Sequence, residues 1–365
     1  MNHGHDEIGP EKVMEIYNPR VDLHGFVVID NTRLGPGKGG TRMTVTVNQD
    51  EIRLLARAMS IKCALAELPF GGAKSGIIAD AHHISEKRKR ELVESFADAI
   101  KEISPDIYIA APDMSMGERE MGWIAKRLGP KSCTGKPKRM GGLPHELGST
   151  GYGVHHATHM GADYLDIDLN GATIAIEGFG NVGSFAAKFL AEDGSKIVAV
   201  SDSKGCIYNK DGLDLKKLMD IKKRTGSVSN YKPGARIPNA EIIGLGVDIF
   251  IPAAIPDVIG MKDVPSVKAK LIVEGSNIPI KPEVEDKLTG KGTLIIPDII
   301  ANSGGVISSY VEHNCGTEKE MFSLIEKKIT KNVKYILEQC KAKGHRHTRK
   351  CSISIAQKRI LDNSN

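Results

Sequence analysis

The sequence predicts two α/β domains, the second built on a doubly wound parallel sheet, and three observations carry that expectation. Its 365 residues exceed the usual size of one domain and leave each half enough apolar material for a core. From Gly171 the chain reads strand, glycine turn, helix, strand: ATIAIE, GFGNVG, a helical stretch to about Ala191, then KIVAVSD. That succession is a βαβ unit. Ahead of it the chain follows another pattern, with strand-like HGFVVID and TRMTVTV and two helices. The expected bounds are 1–145 for the first domain and 146–335 for the second, with 336–365 returning to pack on the first. The segment GGLPHELGSTGYG marks the join.

In the first domain, Asn48 opens a helix with Glu51 placed for a capping box, and a second helix follows Ser85. The basic run Lys87 to Arg90 precedes Leu92, Val93, Phe96 and Ile100, which is the polar end of an amphipathic helix. In the second domain, DIFIPAA (248–254), KLIVEG (270–275) and TLIIPD (293–298) are short β-branched runs that continue the parallel sheet. A long helical pattern runs from Glu318 to about Lys341, and a shorter one follows.

Composition excludes several classes. The chain is 40% hydrophobic and 26% charged, with 39 glycines and no long apolar run, so it is read as globular and without a membrane span. The start MNHGHDEIGPEKV has neither a basic-then-apolar leader nor an Arg/Ser-rich transit pattern, which gives a cytoplasmic expectation. Cys63, Cys133, Cys206, Cys315, Cys340 and Cys351 lack CxxC spacing and are expected to be free thiols. No metal site is expected, because the rings of His82 with His83, and of His155 with His156, point in different directions when adjacent. A net charge of +5 is modest, and the basic stretch 341–350 lacks interleaved aromatics, so it is read as a solvated face and no nucleic-acid partner is expected.

Gly178, Gly180 and Gly183 form GxGxxG directly after a strand and at the opening of a helix. Gly178 permits the tight turn, Gly180 lets the backbone approach a pyrophosphate, and Gly183 allows helix to pack on strand. This Rossmann-like arrangement calls for an acidic residue about 20 positions on, to hold a ribose hydroxyl. Asp202 meets it and favours NAD, while Ser203 and Lys204 follow at once and could serve the 2′-phosphate of NADP. FAD is the competing ligand.

Three lysines stand out. Lys62 lies on the apolar stripe Ile52, Leu55, Met59, Cys63 and Ala66, where an inward ammonium asks for an anion and snorkelling to the surface is the bland alternative. Lys38 in GPGKGGTR and Lys74 in PFGGAKSGI are read as lying in glycine-flanked turns suited to an anion; neither has P-loop spacing, so ATP is not expected. Asp113, between a strand-like run and a helix, can transfer protons or cap the helix.

With these residues assembled, the chain resembles the glutamate, leucine, phenylalanine and valine dehydrogenase superfamily from about Gly25 to near its C-terminus. The likeness rests on GPGKGGTRM, MSIKCALAELPFGGAKSGI, APDMSMGEREMGW, STGYGV, IEGFGNVG, VSDSKGCIY, IPAA, EGSN and PDIIANSGGVISSY, in that order. The resemblance implies a substrate-binding and oligomerisation domain, a Rossmann-like nucleotide domain and catalysis in the cleft between them. It implies Lys74 as catalytic lysine, Asp113 as proton-transfer carboxylate and Lys62 as the grip on a substrate α-carboxylate. Thr150, Gly178, Phe179, Gly180, Asn181, Val182, Gly183, Ala254, Asn277 and Asn302 match positions that line NAD or NADP. Lys38 and Ser309 match the pocket positions that read a glutamate side chain, which argues for L-glutamate, converted with NAD(P) to 2-oxoglutarate and ammonia. The alternatives are a branched-chain amino acid dehydrogenase and a catalytically idle, nucleotide-binding relative. The latter is raised by Ala73 and Ser75, which stand where the family prefers glycine. A homo-oligomer, favoured as a hexamer, is implied as well.

Overall fold

The computed structural model describes residues 5–144, 147–342, 344 and 347–362. The chain forms two compact units, one of Met1–Leu147, Val306–Met321 and Ile353–Asn365, the other of Gly148–Gly305 and Phe322–Ser352. The return to the first unit is therefore split, whereas the sequence suggested one piece over 336–365. Most of the long penultimate helix and the start of the last belong to the second unit, where Arg349 of the last helix is drawn into ion pairs.

The first unit holds strands β1 (Lys12–Asn18), β2 (Leu23–Asn31), β3 (Gly37–Thr44), β4 (Gly71–Ile78) and β5 (Tyr108–Ala111) in the order β1-β2-β4-β3-β5. β1 and β4 run antiparallel to β2, while β3 lies parallel to β4 and β5. Helix α1 (Gln49–Leu65) packs on one face, beside Phe26, Val28 and Val47. Helices α2 (Glu86–Ala99) and α3 (Glu118–Leu128) supply the larger core on the other face, with Leu92, Phe96, Met121 and Ile124 against Val27, Ala73, Ile77 and Tyr108.

The segments around Lys38 and Lys74, read from the sequence as turns, are strands from Gly37 and from Gly71 onward, and β4 is buried over nearly its whole length. Glycine serves close packing here: a Cβ on Gly72 would stand 2.1 Å from Ser60 Oγ and 2.5 Å from Ala56 O, both on α1. The α1 stripe is also shifted. Ile52, Ala56, Ser60 and Cys63 are buried, while Leu55, Met59 and Lys62 are half-buried on its flank. Asn48 caps α1 by accepting from Glu51 N at 3.0 Å, but the Glu51 carboxylate does not close the capping box; it pairs with Arg42.

In the second unit α4 (Ser149–Tyr164) leads into β6 (Thr173–Glu177), α5 (Asn181–Glu192), β7 (Lys196–Asp202), β8 (Gly205–Tyr208), α6 (Leu215–Thr225) and β9 (Ala235–Ile237). Then come β10 (Ile249–Pro252), β11 (Leu271–Val273), α7 (Pro282–Gly290), β12 (Leu294–Ile296) and α8 (Asp298–Ala301). The sheet order is β12-β11-β10-β6-β7-β8-β9. Five strands are parallel, as expected, and β8 and β9 extend the edge antiparallel, β8 through a short hairpin from β7 and β9 after a longer connection that contains α6. The chain ends with α9 (Gly304–His313), α10 (Glu318–Ala342) and α11 (Thr348–Asp362). Among the described residues no helix is long and apolar enough to cross a membrane.

Part of the basic stretch 341–350 lies outside the described residues, and the rest is not uniformly solvated. Arg349 is buried and donates to Glu285 at 2.7 Å, to Asp298 at 2.7 Å and to Glu274 Oε2 at hydrogen-bond contact. In the other basic run Lys89 is buried against Glu120 at 2.8 Å.

Candidate active site

Successive strand residues point to opposite faces, so Lys38, Gly40 and Arg42 of β3 share a face with Gly72, Lys74 and Gly76 of β4. This is the α1 face. Lys74 Nζ lies 2.7 Å from Asp113 Oδ2, and Arg42 donates its Nε to the same oxygen at 3.0 Å. Asp113 follows β5 in a tight turn that exchanges backbone hydrogen bonds with Met116. It is not a helix cap, since Gly117 holds that place and donates its N–H to Glu120 Oε2 at 2.8 Å. A Cβ on Gly40 would stand 2.8 Å from Asp113 Cβ and 3.2 Å from Lys74 Nζ, so the pair needs a bare backbone beneath it. Burial pushes the Asp113 carboxyl up, but Lys74 and Arg42 overcome it and hold the group below the usual carboxylate range.

On the opposite face Ser75 Oγ lies 2.8 Å from Thr41 Oγ1 and 2.8 Å from Tyr108 OH, which donates to Gly39 O at 3.2 Å. Ser75 is thus a buried member of a hydroxyl cluster that ties β3, β4 and β5 together directly behind Lys74. Lys38 is 1% exposed and donates from Nζ to Ala110 O at 3.0 Å. Burial pushes its ammonium down to about 8. Lys38 and Lys62 both act electrostatically on the buried Cys63 thiol, which burial itself raises to about 12. Glu312 and His313, in the last turn of α9, act on or respond to Lys38 in the same way, and Ser309 is half-buried one turn earlier.

The residues expected to line a dinucleotide gather in the second unit, at the carboxyl ends of its parallel strands. Gly178 follows β6 with a φ of 93° and abuts Ala254, which follows β10. A Cβ on Gly183 would overlap Gly178 O at 1.9 Å, whereas a Cβ on Gly180 would meet nothing within 4 Å. Protein packing therefore explains Gly178 and Gly183 but not Gly180, whose open surroundings fit a ligand pressed against the backbone at the start of α5. Phe179 is buried and its carbonyl accepts from Lys222, while Asn181 is exposed and Val182 half-buried in the first turn of α5. Asn302 donates Nδ2 to Asn277 Oδ1 at 3.0 Å and fastens the turn after β11. Thr150 opens α4, close enough to Gly305 that a Cβ there would stand 3.0 Å from its hydroxyl.

Asp202, expected to reach a ribose, is turned inward: Oδ1 accepts from Lys204 N at 2.9 Å and Ser227 Oγ at 3.0 Å, and Oδ2 from Val228 N at 2.7 Å. Next to it Ser203, Lys204, Arg236 and Asn239 line a pocket of about 430 Å³. Sequence reading missed Arg42, Thr41, Tyr108, Arg236 and the buried pair Lys136 with Glu312 (2.6 Å). Only the alternation of Lys38, Gly40 and Arg42 in one strand could have singled out Arg42.

Residues 141–365 match the family Glutamate/Leucine/Phenylalanine/Valine dehydrogenase, and residues 10–129 match the Glu/Leu/Phe/Val dehydrogenase dimerisation domain. The chain is 40% identical over 321 residues to a glutamate dehydrogenase of Aeropyrum pernix, covering 84% of this chain and 77% of that one. It is 40% identical over 290 residues to an NADP-specific glutamate dehydrogenase of Saccharolobus shibatae, covering 77% and 69%. Among solved structures, the hetero-hexameric glutamate dehydrogenase of Thermus thermophilus in its Leu-bound form superposes with a TM-score of 0.87 at 27% identity, over 97% of this chain and 89% of that one. The glutamate dehydrogenase of Peptoniphilus asaccharolyticus gives 0.85 at 29% identity, over 97% and 91%. Motifs, two α/β units and family matches that together take in almost the whole length agree: this chain belongs to the glutamate, leucine, phenylalanine and valine dehydrogenase family.

Proposed function

We propose that the protein catalyses the reversible NAD(P)-dependent oxidative deamination of L-glutamate to 2-oxoglutarate and ammonia. The observation that carries this reading is the buried cluster of Lys74, Asp113 and Arg42 on the same sheet face as the fully buried Lys38. A buried ammonium held by one carbonyl favours an anionic group beside it, and a glutamate side-chain carboxylate supplies one where leucine does not. In this scheme Lys38 and Ser309 read that carboxylate and Lys62 grips the α-carboxylate. Asp113, kept ionised by its two cations, takes a proton from the amino group, and later returns one as ammonia leaves. Lys74 orients the water that attacks the imine carbon.

The nicotinamide, when bound, accepts hydride from the substrate Cα. Gly178 to Gly183 would hold its pyrophosphate, with Thr150, Ala254, Asn277 and Asn302 along the remainder. Because Asp202 is engaged by the 227–228 backbone and side chains, and Lys204 and Arg236 stand beside the neighbouring pocket, we favour NADP over NAD. Three of the similar curated proteins carry the name NADP-specific glutamate dehydrogenase or a variant of it, which supports the same choice. All six cysteines are free thiols and five are buried, in keeping with a reducing, cytoplasmic setting. We also propose a homo-oligomer; the first expectation of six copies takes its number from the hetero-hexameric relative.

The test is formation of reduced nicotinamide, read by absorbance, with glutamate, leucine, valine and phenylalanine each paired with NAD and NADP. The expected result is turnover of glutamate with NADP, lost in Lys74→Ala while NADP still binds. Preference for leucine would overturn the role given to Lys38. Nucleotide binding without turnover of any substrate would favour an idle relative.

A further inference from the structure

The second unit contains a group of side chains with no part in the chemistry above. His155 and His159 are four residues apart on α4, so both rings stand on one side of the helix. His155 Nε2 lies 2.5 Å and His159 Nε2 lies 2.8 Å from a single oxygen, Oδ2 of Asp193, the residue that ends α5. The three ligand atoms lie within 4.8 Å of one another. The sequence reading weighed His155 only with its neighbour His156, whose ring centroid in fact lies 4.7 Å from that of His155, and did not reach His159.

Two hydrogen-bonded imidazoles on one carboxylate are a sufficient structural motif by themselves, so the surroundings must decide. Access differs across the group as a metal site requires: the His155 side chain is 10% exposed, while those of His159 and Asp193 are each 32% exposed. One ligand ring is stacked by Tyr152, and the other two side chains reach solvent. Ligand bonds of about 2.0–2.2 Å ask the three atoms to separate by a fraction of an ångström from their present contacts. The exposed His159 and the helix-terminal Asp193 have the freedom to do that.

We propose that His155, His159 and Asp193 form a binding site for one divalent transition cation of the zinc type, completed by water. Imidazole with carboxylate is a ligand set for zinc, cobalt or nickel rather than for magnesium or calcium. The ion would replace the two N–H···O bonds by ligand bonds and join the middle of α4 to the end of α5. Both helices begin at residues that the proposed function places along the dinucleotide, Thr150 in the first turn of α4 and Asn181 at the start of α5. Bound metal would therefore stabilise the nucleotide-binding unit in proportion to its occupancy.

The experiment uses untagged, chelator-stripped, full-length protein titrated with zinc by calorimetry, with cobalt as a spectroscopic substitute. The expected result is one zinc per chain, a rise in Tm with zinc, and visible cobalt bands of a four- or five-coordinate site. His159→Gln and Asp193→Asn should each weaken zinc by at least about tenfold and abolish the cobalt bands. His83→Gln, in the exposed pair with Asp80, should leave both unchanged. Absence of a stoichiometric zinc site, or zinc and cobalt signals unaffected by His159→Gln and Asp193→Asn, would overturn the proposal and leave a hydrogen-bonded triad.

Discussion

Asp113 receives two cations on one carboxylate oxygen, and they differ in what they can do. Lys74 has a proton to move, whereas Arg42 keeps its charge throughout and is itself held by Glu51. Arg42 therefore acts as a positioning residue that keeps Asp113 ionised against the cost of burial. Arg42→Met should lower kcat by roughly 10- to 100-fold, the scale of a supporting-shell loss, and move the acid limb of kcat/KM to higher pH. Arg42→Lys should restore part of both, and an unmoved acid limb would assign Asp113 to some other control. Lys38 makes a second, opposite prediction. Its folded value of about 8 lies below its ordinary 10.5, so the unfolded chain binds the extra proton between those values and stability rises with pH there. Relative to Lys38→Met, wild type should gain about 2 kcal/mol between pH 7.5 and 9.5, read from urea unfolding at each pH, while the variant loses glutamate turnover. A pH-independent difference would mean that the ammonium is not desolvated. Lys74 and Asp113, which the structure pairs, are legible in the sequence because each sits in a short motif. Arg42 is not, since it meets Asp113 across 71 residues and only the parallel register of β3 with β5 brings them together.

At the scale of elements, the βαβ unit around GFGNVG is legible because strand periodicity, glycine spacing and helix periodicity fall within one short segment. The glycine strands β3 and β4 are not. Glycine ordinarily signals a turn, and nothing local displays the α1 surface that makes small residues necessary at 72 and 76. Glu51 likewise satisfies a capping pattern while its carboxylate is taken by Arg42, a charged partner stronger than a backbone N–H. The glycines of the turn after β6 separate two causes of the same residue choice. Gly183→Ala forces a methyl into Gly178 O and should lower both Tm and dinucleotide affinity. Gly180→Ala meets no protein atom within 4 Å, and its φ of −88° suits alanine, so Tm should stay within about 1 °C. Its NADP affinity should nevertheless fall by at least about tenfold, from loss of close backbone approach. Thermal scans and fluorescence titration measure the two quantities, and unchanged NADP affinity in Gly180→Ala would remove the ligand from that backbone.

For the whole molecule, the existence of two α/β units is legible from length and from the change of pattern near residue 145, but the path of the C-terminal third is not. Helix periodicity locates α10 and α11 without saying which unit each one serves. The deciding contacts are long-range ion pairs and hydrogen bonds of two arginines. Arg349 holds the start of α11 in the second unit, while Arg359, ten residues on, donates to Ala64 O and Leu65 O in the first. The tie that fixes α9 into the first unit is Glu312. Its Oε1 lies 2.6 Å from Lys136 Nζ, and its Oε2 accepts from Gly135 N and Leu143 N at 3.0 Å each. Both charged side chains are under 5% exposed, so neither can turn to water when its partner is lost. Removing the carboxylate in Glu312→Ala leaves an ammonium and three backbone donors, the N–H groups of Gly135, Lys136 and Leu143, without their acceptor, a loss of about 3–5 kcal/mol. For a unit of this size that corresponds to a fall in Tm of roughly 10 °C. The double variant Lys136→Met with Glu312→Leu removes both charges and should recover a large part of the loss, because a pair that is costly to break is often inexpensive to replace. Calorimetric unfolding of wild type, the single variant and the double variant checks this. A double variant as unstable as Glu312→Ala would show that the three backbone bonds to Glu312, rather than its charge pairing with Lys136, hold the segment around 135–143 to α9.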